Sequence, residues 1–173
     1  MVEGSRQKAT EHTIAALRPL IGVVQKSCGI PTGFWRDEFV LGFFSFMLTF
    51  HRDLTSGTRL SDEDKGRVMA DVLTALSNMN GLAIAREVAA LATGSKKTAD
   101  FETGADNAAV LAFFIVGKLK NADSNEHVIK AREMASLGGQ AADHKAITGY
   151  LMLLLFIYPL RGRFKLARDA VRS

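Results

Sequence analysis

The sequence holds one cysteine, three prolines and no long uninterrupted apolar run. A single thiol closes no intramolecular disulfide and excludes a zinc site built from several cysteines, which fits a reducing, cytoplasmic setting. The nearest approach to a membrane span is residues 146–160, shorter than the roughly 18 residues a span needs. That stretch also carries Thr148 and Tyr150, so a buried helix is expected there. No secretory leader is expected either, because residues 1–11 are polar and the first apolar stretch is interrupted by Arg18, Pro19 and Lys26.

Catalytic signatures are missing as well. There is no Gly-x-Ser-x-Gly elbow and neither glycine-rich phosphate pattern, GxxxxGK[ST] or GxGxxG. Metal ligands on one helix need a shared face, as in Glu-x-x-His. The residues three before His12, His51, His127 and His144 are Ala9, Leu48, Ser124 and Ala141, none of them a carboxylate. The pairs Glu11-His12, Glu126-His127 and Asp143-His144 are neighbours, which point about 100° apart on a helix. No metal or cofactor is expected on these grounds; only a ligand set gathered from separate helices stays open. Cys28 sits on an apolar stripe near a helix end, where the dipole disfavours a thiolate, and reads as structural. An enzyme would require two or more of Glu38, His51, Glu87, Glu133 and His144 to converge in one cleft.

Helical periodicity is what the sequence does contain, and strand-like alternation of useful length is absent. Its 173 residues make about one domain. The reading is an all-α, globular, multi-helix fold of about seven or eight helices, a single domain over 1–173, with buried and nearly all-apolar central helices.

The first helix is expected over residues 6–28, kinked at Pro19, with Ile14, Leu17, Ile21, Val24 and Cys28 as its stripe. The second, residues 33–52, holds Trp35 and six of the eleven phenylalanines. Phe39, Phe43, Phe46 and Phe50 make one row, and Gly42, Ser45 and Thr49 a narrow small-residue face that another backbone can approach closely. Arg36, Asp37 and Glu38 form its first turn, and His51, Arg52 and Asp53 its basic end.

Ser61 caps an acidic helix start, and that helix runs to Asn80-Gly81, a cap or tight connection. A shorter helix follows over residues 82–93. Residues 94–103 read as a mobile connection. Thr103 and Asp106 then open a helix whose middle, residues 110–117, is apolar on every side and expected to be buried. Asp123 or Ser124 caps the next, with Val128, Ala131, Ala135 and Leu137 inward. The last long helix covers about 141–158, and Pro159 separates it from a basic tail.

Cations exceed acids by four in the whole chain. That excess lies beyond Leu160, where Arg161, Arg163, Lys165, Arg168 and Arg172 face only Asp169. Residues 161–173 form a short basic amphipathic segment, the place for an anionic partner; shallow membrane-surface contact over 160–172 is a weaker reading. Nucleic acid is not expected, since the rest of the chain is neutral and lacks a recognition motif.

Few catalytic constellations beside much apolar helix surface point to a non-enzymatic protein acting through protein–protein contact, with a homodimer as its simplest form. The alternative is a helical binding module for a hydrophobic small molecule or lipid. In that reading helix 33–52 lines the cavity, and Trp35, Arg36, Phe39, Phe43, Ser45, Phe46, Thr49 and Tyr150 supply the pocket.

Overall fold

The computed structural model describes residues 2–56, 60–94, 98–137 and 142–165, and among them every regular element is helical. The elements are α1 (Val2–Cys28), a 3-10 turn (Phe34–Arg36), α2 (Glu38–Ser56), α3 (Asp62–Ser77), α4 (Gly81–Ala92), α5 (Ala99–Ile115), α6 (Glu126–Ser136), α7 (His144–Met152) and α8 (Tyr158–Phe164). A π turn, Leu153–Ile157, joins the last two without interruption. The all-α reading therefore stands, and the chain divides into two compact units, Met1–Ala105 and Asp106–Ser173.

In the first unit α1 packs on α2 and α3, and α3 on α4. The inner face of α1 is Ala9, Thr13, Leu17, Leu20 and Val24, at steps of four, four, three and four. This differs from the sequence stripe, which omitted Thr13 and placed Ile14 and Ile21 inside. Thr13 is fully buried because its hydroxyl donates to the Ala9 carbonyl at 2.7 Å, so no polar group is stranded. The helix also starts earlier than expected and passes through Pro19. Pro19 and Ala15 are both exposed. The carbonyl that proline leaves without its helical donor therefore belongs to a residue on the water side.

The expected helix 33–52 is two elements. Asp37 is extended (φ −76°, ψ 126°) and ends the 3-10 turn. Its carboxylate then accepts the Val40 amide at 3.2 Å, capping α2. Trp35 and Arg36 thus stand before the phenylalanine helix. Along α2, Phe39, Val40, Leu41, Phe43, Phe44, Met47 and Leu48 are all buried. Phe34 and Trp35 meet edge to face at 5.0 Å, Trp35 lies 4.9 Å from Phe44, and Phe43 meets Phe44 at 6.0 Å. Each such pair adds roughly 0.5–1.5 kcal/mol beyond area burial.

The small-residue face of α2 works at Gly42. A Cβ there would sit 2.0 Å from the Phe101 carbonyl oxygen, and one on Gly104 would sit 2.1 Å from that of Phe39. Two glycines, one on each helix, let α2 and α5 cross backbone to backbone. The start of α5 is tied to α2 too: the Thr98 hydroxyl donates to Glu38 Oε2 at 2.7 Å and accepts the Phe101 amide at 3.3 Å. Part of the connection expected over 94–103 is therefore helix, from Ala99 onward; residues 95–97 lie outside the described residues.

Ser61 caps α3 as the sequence implied, accepting the Asp64 amide at 3.1 Å. Asn78, left-handed at φ 55°, ends that helix, and Asn80 opens α4 by accepting the Ala83 amide at 3.1 Å. Gly81 is needed for another reason than a turn: a Cβ on it would lie 2.1 Å from the Ala70 carbonyl oxygen.

In the second unit α6 packs on α7. Asn125, not Asp123 or Ser124, caps α6, its side-chain oxygen accepting the amides of His127 and Val128. Asp123 instead pairs with Arg132 at 2.7 Å. Val128 and Ala131 are buried, but Leu137 is 85% exposed, the reverse of its expected place. The middle of α5 is likewise not buried all round, since Phe113 and Ile115 face outward while Leu111, Ala112 and Phe114 face in. Asp143 caps α7 by accepting the Ala146 amide. From there Ile147, Leu151, Leu155, Phe156, Ile157 and Leu160 form a continuous buried face. Pro159 does not end this helix, because the π turn ahead of it changes the hydrogen-bond register and places proline in the first turn of α8.

Candidate functional site

Helices α3 and α4 diverge from their connection, bent by 120°. Between them opens a groove of about 580 Å³. Its α3 wall presents Gly66, Ala70 and Thr74 at steps of four, and its α4 wall Ala85 and Ala89. The larger apolar side chains of the two helices, Val68, Val72 and Leu73 with Ile84, Val88 and Leu91, are buried in the core instead. Leu82 stands at one end and is 51% exposed.

Charges rim this groove. Glu63, Arg67 and Asp71 follow at steps of four along α3, and Arg86 stands on α4. Glu63 is taken up by Arg67. Asp71 and Arg86 have no ion-pair partner among the described residues, so opposite charges stand unpaired around the same opening.

On its other side α4 borders a second groove, of about 500 Å³, lined by Trp35, Arg36, Met79, Asn80, Ala83, Ile84 and Glu87. Trp35 contributes an edge only, being almost wholly buried in the aromatic cluster, whereas Arg36 is exposed. The remaining pocket candidates divide. Phe39 and Phe43 are core residues. Ser45, Phe46, Thr49 and Tyr150 are half-buried. Phe46 stacks on Phe50 at 6.2 Å, and with Thr49, Asp53 and Leu54 these rings line a groove of about 380 Å³ on the outer side of α2.

Of the basic-end candidates, Arg161 is half-buried and Arg163 and Lys165 are exposed. The helix closes at Lys165, which is left-handed at φ 50°. Arg168 and Arg172 lie outside the described residues.

Of the ionisable residues considered for catalysis, Glu133 is exposed and the other four sit among different neighbours. Glu38 accepts from Thr98, Glu87 lines the Trp35 groove, and the His144 ring stacks on Phe114 at 4.7 Å. His51 faces His12, with ring centres 6.2 Å apart. Burial first, and the neighbouring His12 second, hold the His51 pKa below the ordinary histidine range. Arg52, at the basic end of α2, is buried and pairs with Asp53 at 2.8 Å. Among the described residues no three His, Cys, Asp or Glu side chains form a metal-holding group, and no single helix is long and apolar enough to cross a membrane.

The sequence reading missed the α3–α4 groove because alanine and glycine carry little weight in a hydrophobic stripe. The usable signal was the four-residue spacing of Gly66, Ala70 and Thr74 beside alternating charges. Compared with family models, curated proteins and solved structures, the chain matches none.

Proposed function

We propose that this is a non-enzymatic α-helical protein that works through protein–protein contact, pairing with a second copy of itself through the groove between α3 and α4. The supporting observation is that groove: a floor of small side chains between two helices, with Asp71 and Arg86 unpaired at its edge. Small residues let a partner helix approach closely, so contact area comes from main chain and Cβ atoms. The charges favour a second copy over an unrelated chain. Around a two-fold axis a contact made once is made twice, so Asp71 of each copy meets Arg86 of the other. Exposed pairs of this kind add little energy, about 0–1 kcal/mol each, but they fix register and exclude wrong partners.

The same packing speaks against a ligand cavity lined by residues 33–52, since the rings at Phe39 and Phe43 are fully packed and what opens near Phe46 is a surface groove. Size-exclusion chromatography with light scattering tests the proposal. A dimer is expected, and a monomer that persists at high micromolar concentration overturns it.

A further inference from the structure

His12 on α1 and His51 on α2 bring two imidazoles together from different helices of the first unit, with ring centres 6.2 Å apart and planes inclined by 52°. We propose that these two side chains bind one borderline divalent transition-metal ion, Zn²⁺, Ni²⁺ or Cu²⁺, which clips α1 to α2.

The spacing is close to what that chemistry needs. Imidazole nitrogens bind such ions at about 2.0–2.1 Å, so two rings on one tetrahedral ion have centres roughly 5 Å apart, and binding draws these two rings together by about 1 Å. Neither the His12 ring nor the His51 ring makes a hydrogen bond among the described residues, which leaves their nitrogens unclaimed. Phe50 meets the His51 ring edge-on at 5.5 Å and limits its rotation. The nearby carboxylates are occupied: Glu11 accepts from Gln7 at 2.9 Å, and Asp53 is held by Arg52 at 2.8 Å. The protein thus supplies two nitrogens, and water completes the coordination on the exposed His12 side. An all-nitrogen pair selects against Mg²⁺ and Ca²⁺, which take oxygen ligands. A search for ligands sharing one helix face does not find this site, because its ligands lie on two helices.

The test is thermal unfolding and calorimetric titration of the full, untagged chain with NiCl₂ or ZnCl₂, using MgCl₂ as control. One ion per chain is expected, with the midpoint raised by about 5 °C once the metal exceeds its dissociation constant roughly hundredfold. His12→Gln, on an exposed position, should weaken binding at least tenfold and cut the shift at the same metal concentration to about half or less, while His127→Gln leaves both unchanged. The inference is overturned by the absence of a metal-dependent shift, by an equal shift with Mg²⁺, or by wild-type affinity in His12→Gln. His51→Gln is the companion variant; wild-type affinity in it has the same meaning.

Discussion

The side-chain amide of Asn107 donates to the main-chain carbonyl of Leu155 at 2.8 Å, and Leu155 lies four residues before Pro159. In an α-helix that carbonyl would receive the amide of residue 159, which proline does not have. The chain answers twice: a π turn shifts the register ahead of Pro159, with the Tyr158 amide reaching Leu153, and Asn107 satisfies the freed oxygen from α5. Removing Asn107 leaves a carbonyl unpaired on a fully buried residue. Asn107→Ala is therefore expected to lose about 1–3 kcal/mol of unfolding free energy in denaturant titrations. In a Pro159→Ala background the loss should shrink, because an alanine amide can reach the same oxygen. Additive effects would contradict this account.

Gly42 and Gly22 are both helical, yet they predict opposite outcomes. An alanine Cβ at Gly42 would meet the Phe101 carbonyl oxygen at 2.0 Å, while one at Gly22 has nothing within 4 Å. Gly42→Ala should cost about 1–3 kcal/mol or more by forcing α2 and α5 apart. Gly22→Ala should add roughly 0.5–1 kcal/mol through helix propensity alone. Equal responses in chemical denaturation would show that the crossing is looser than described.

Self-pairing through the α3–α4 groove carries a reciprocity that charge reversal exposes. Asp71→Arg and Arg86→Asp should each set like charges together twice and weaken the dimer by about tenfold. The double variant restores both pairs with their signs exchanged, so its dissociation constant should return toward wild type. Sedimentation equilibrium reads all three, and a double variant weaker than either single one would argue against this pairing.

Acid should act partly through the start of α3. The Asp62 carboxyl is held below its ordinary value by a hydrogen bond from Lys65 and by that ammonium's charge, with Arg52 adding a smaller effect. The folded state thus releases this proton more readily than the unfolded one. The stability it contributes is complete above the unfolded value, about 3.9, and is lost as pH falls through the lower folded value. Asp62→Asn should flatten the acid limb of the stability profile slightly, and salt should erase the difference because the pair is exposed. An unchanged acid limb would remove Asp62 from the account.

Much of the local structure could be read from the residues, because caps and periodicity act over a few positions. Ser61 and the Asn80-Gly81 pair mark helix ends in plain sequence, and the phenylalanine row along α2 announces a core, which holds for Phe39 and Phe43 but not for the half-buried Phe46 and Phe50. Other features depend on partners far along the chain. Thr13 reads as polar until its hydroxyl is seen to bond one turn back, and Pro159 reads as a break until Asn107 is found behind it. Leu137, Phe113 and Ile115 carry apolar side chains that no nearby pattern distinguishes from buried ones. His12 and His51 each lack a helical partner, so only the packing of α1 on α2 brings them together.

The hydroxyl of Thr98 joins Glu38 across 60 positions, whereas most hydrogen bonds among the described residues close within a single turn. This has a kinetic meaning. Helices α3 and α4 are joined by a short connection and need little loop closure to meet, whereas the α2–α5 tie requires the long segment between them to be gathered in, at the entropic cost of closing that loop. Contacts made late are mostly absent from the folding transition state, so their loss appears in the rate of opening rather than of closing. Thr98→Val should thus leave stopped-flow refolding nearly unchanged while hastening unfolding, making this hydroxyl a determinant of how long the native chain persists.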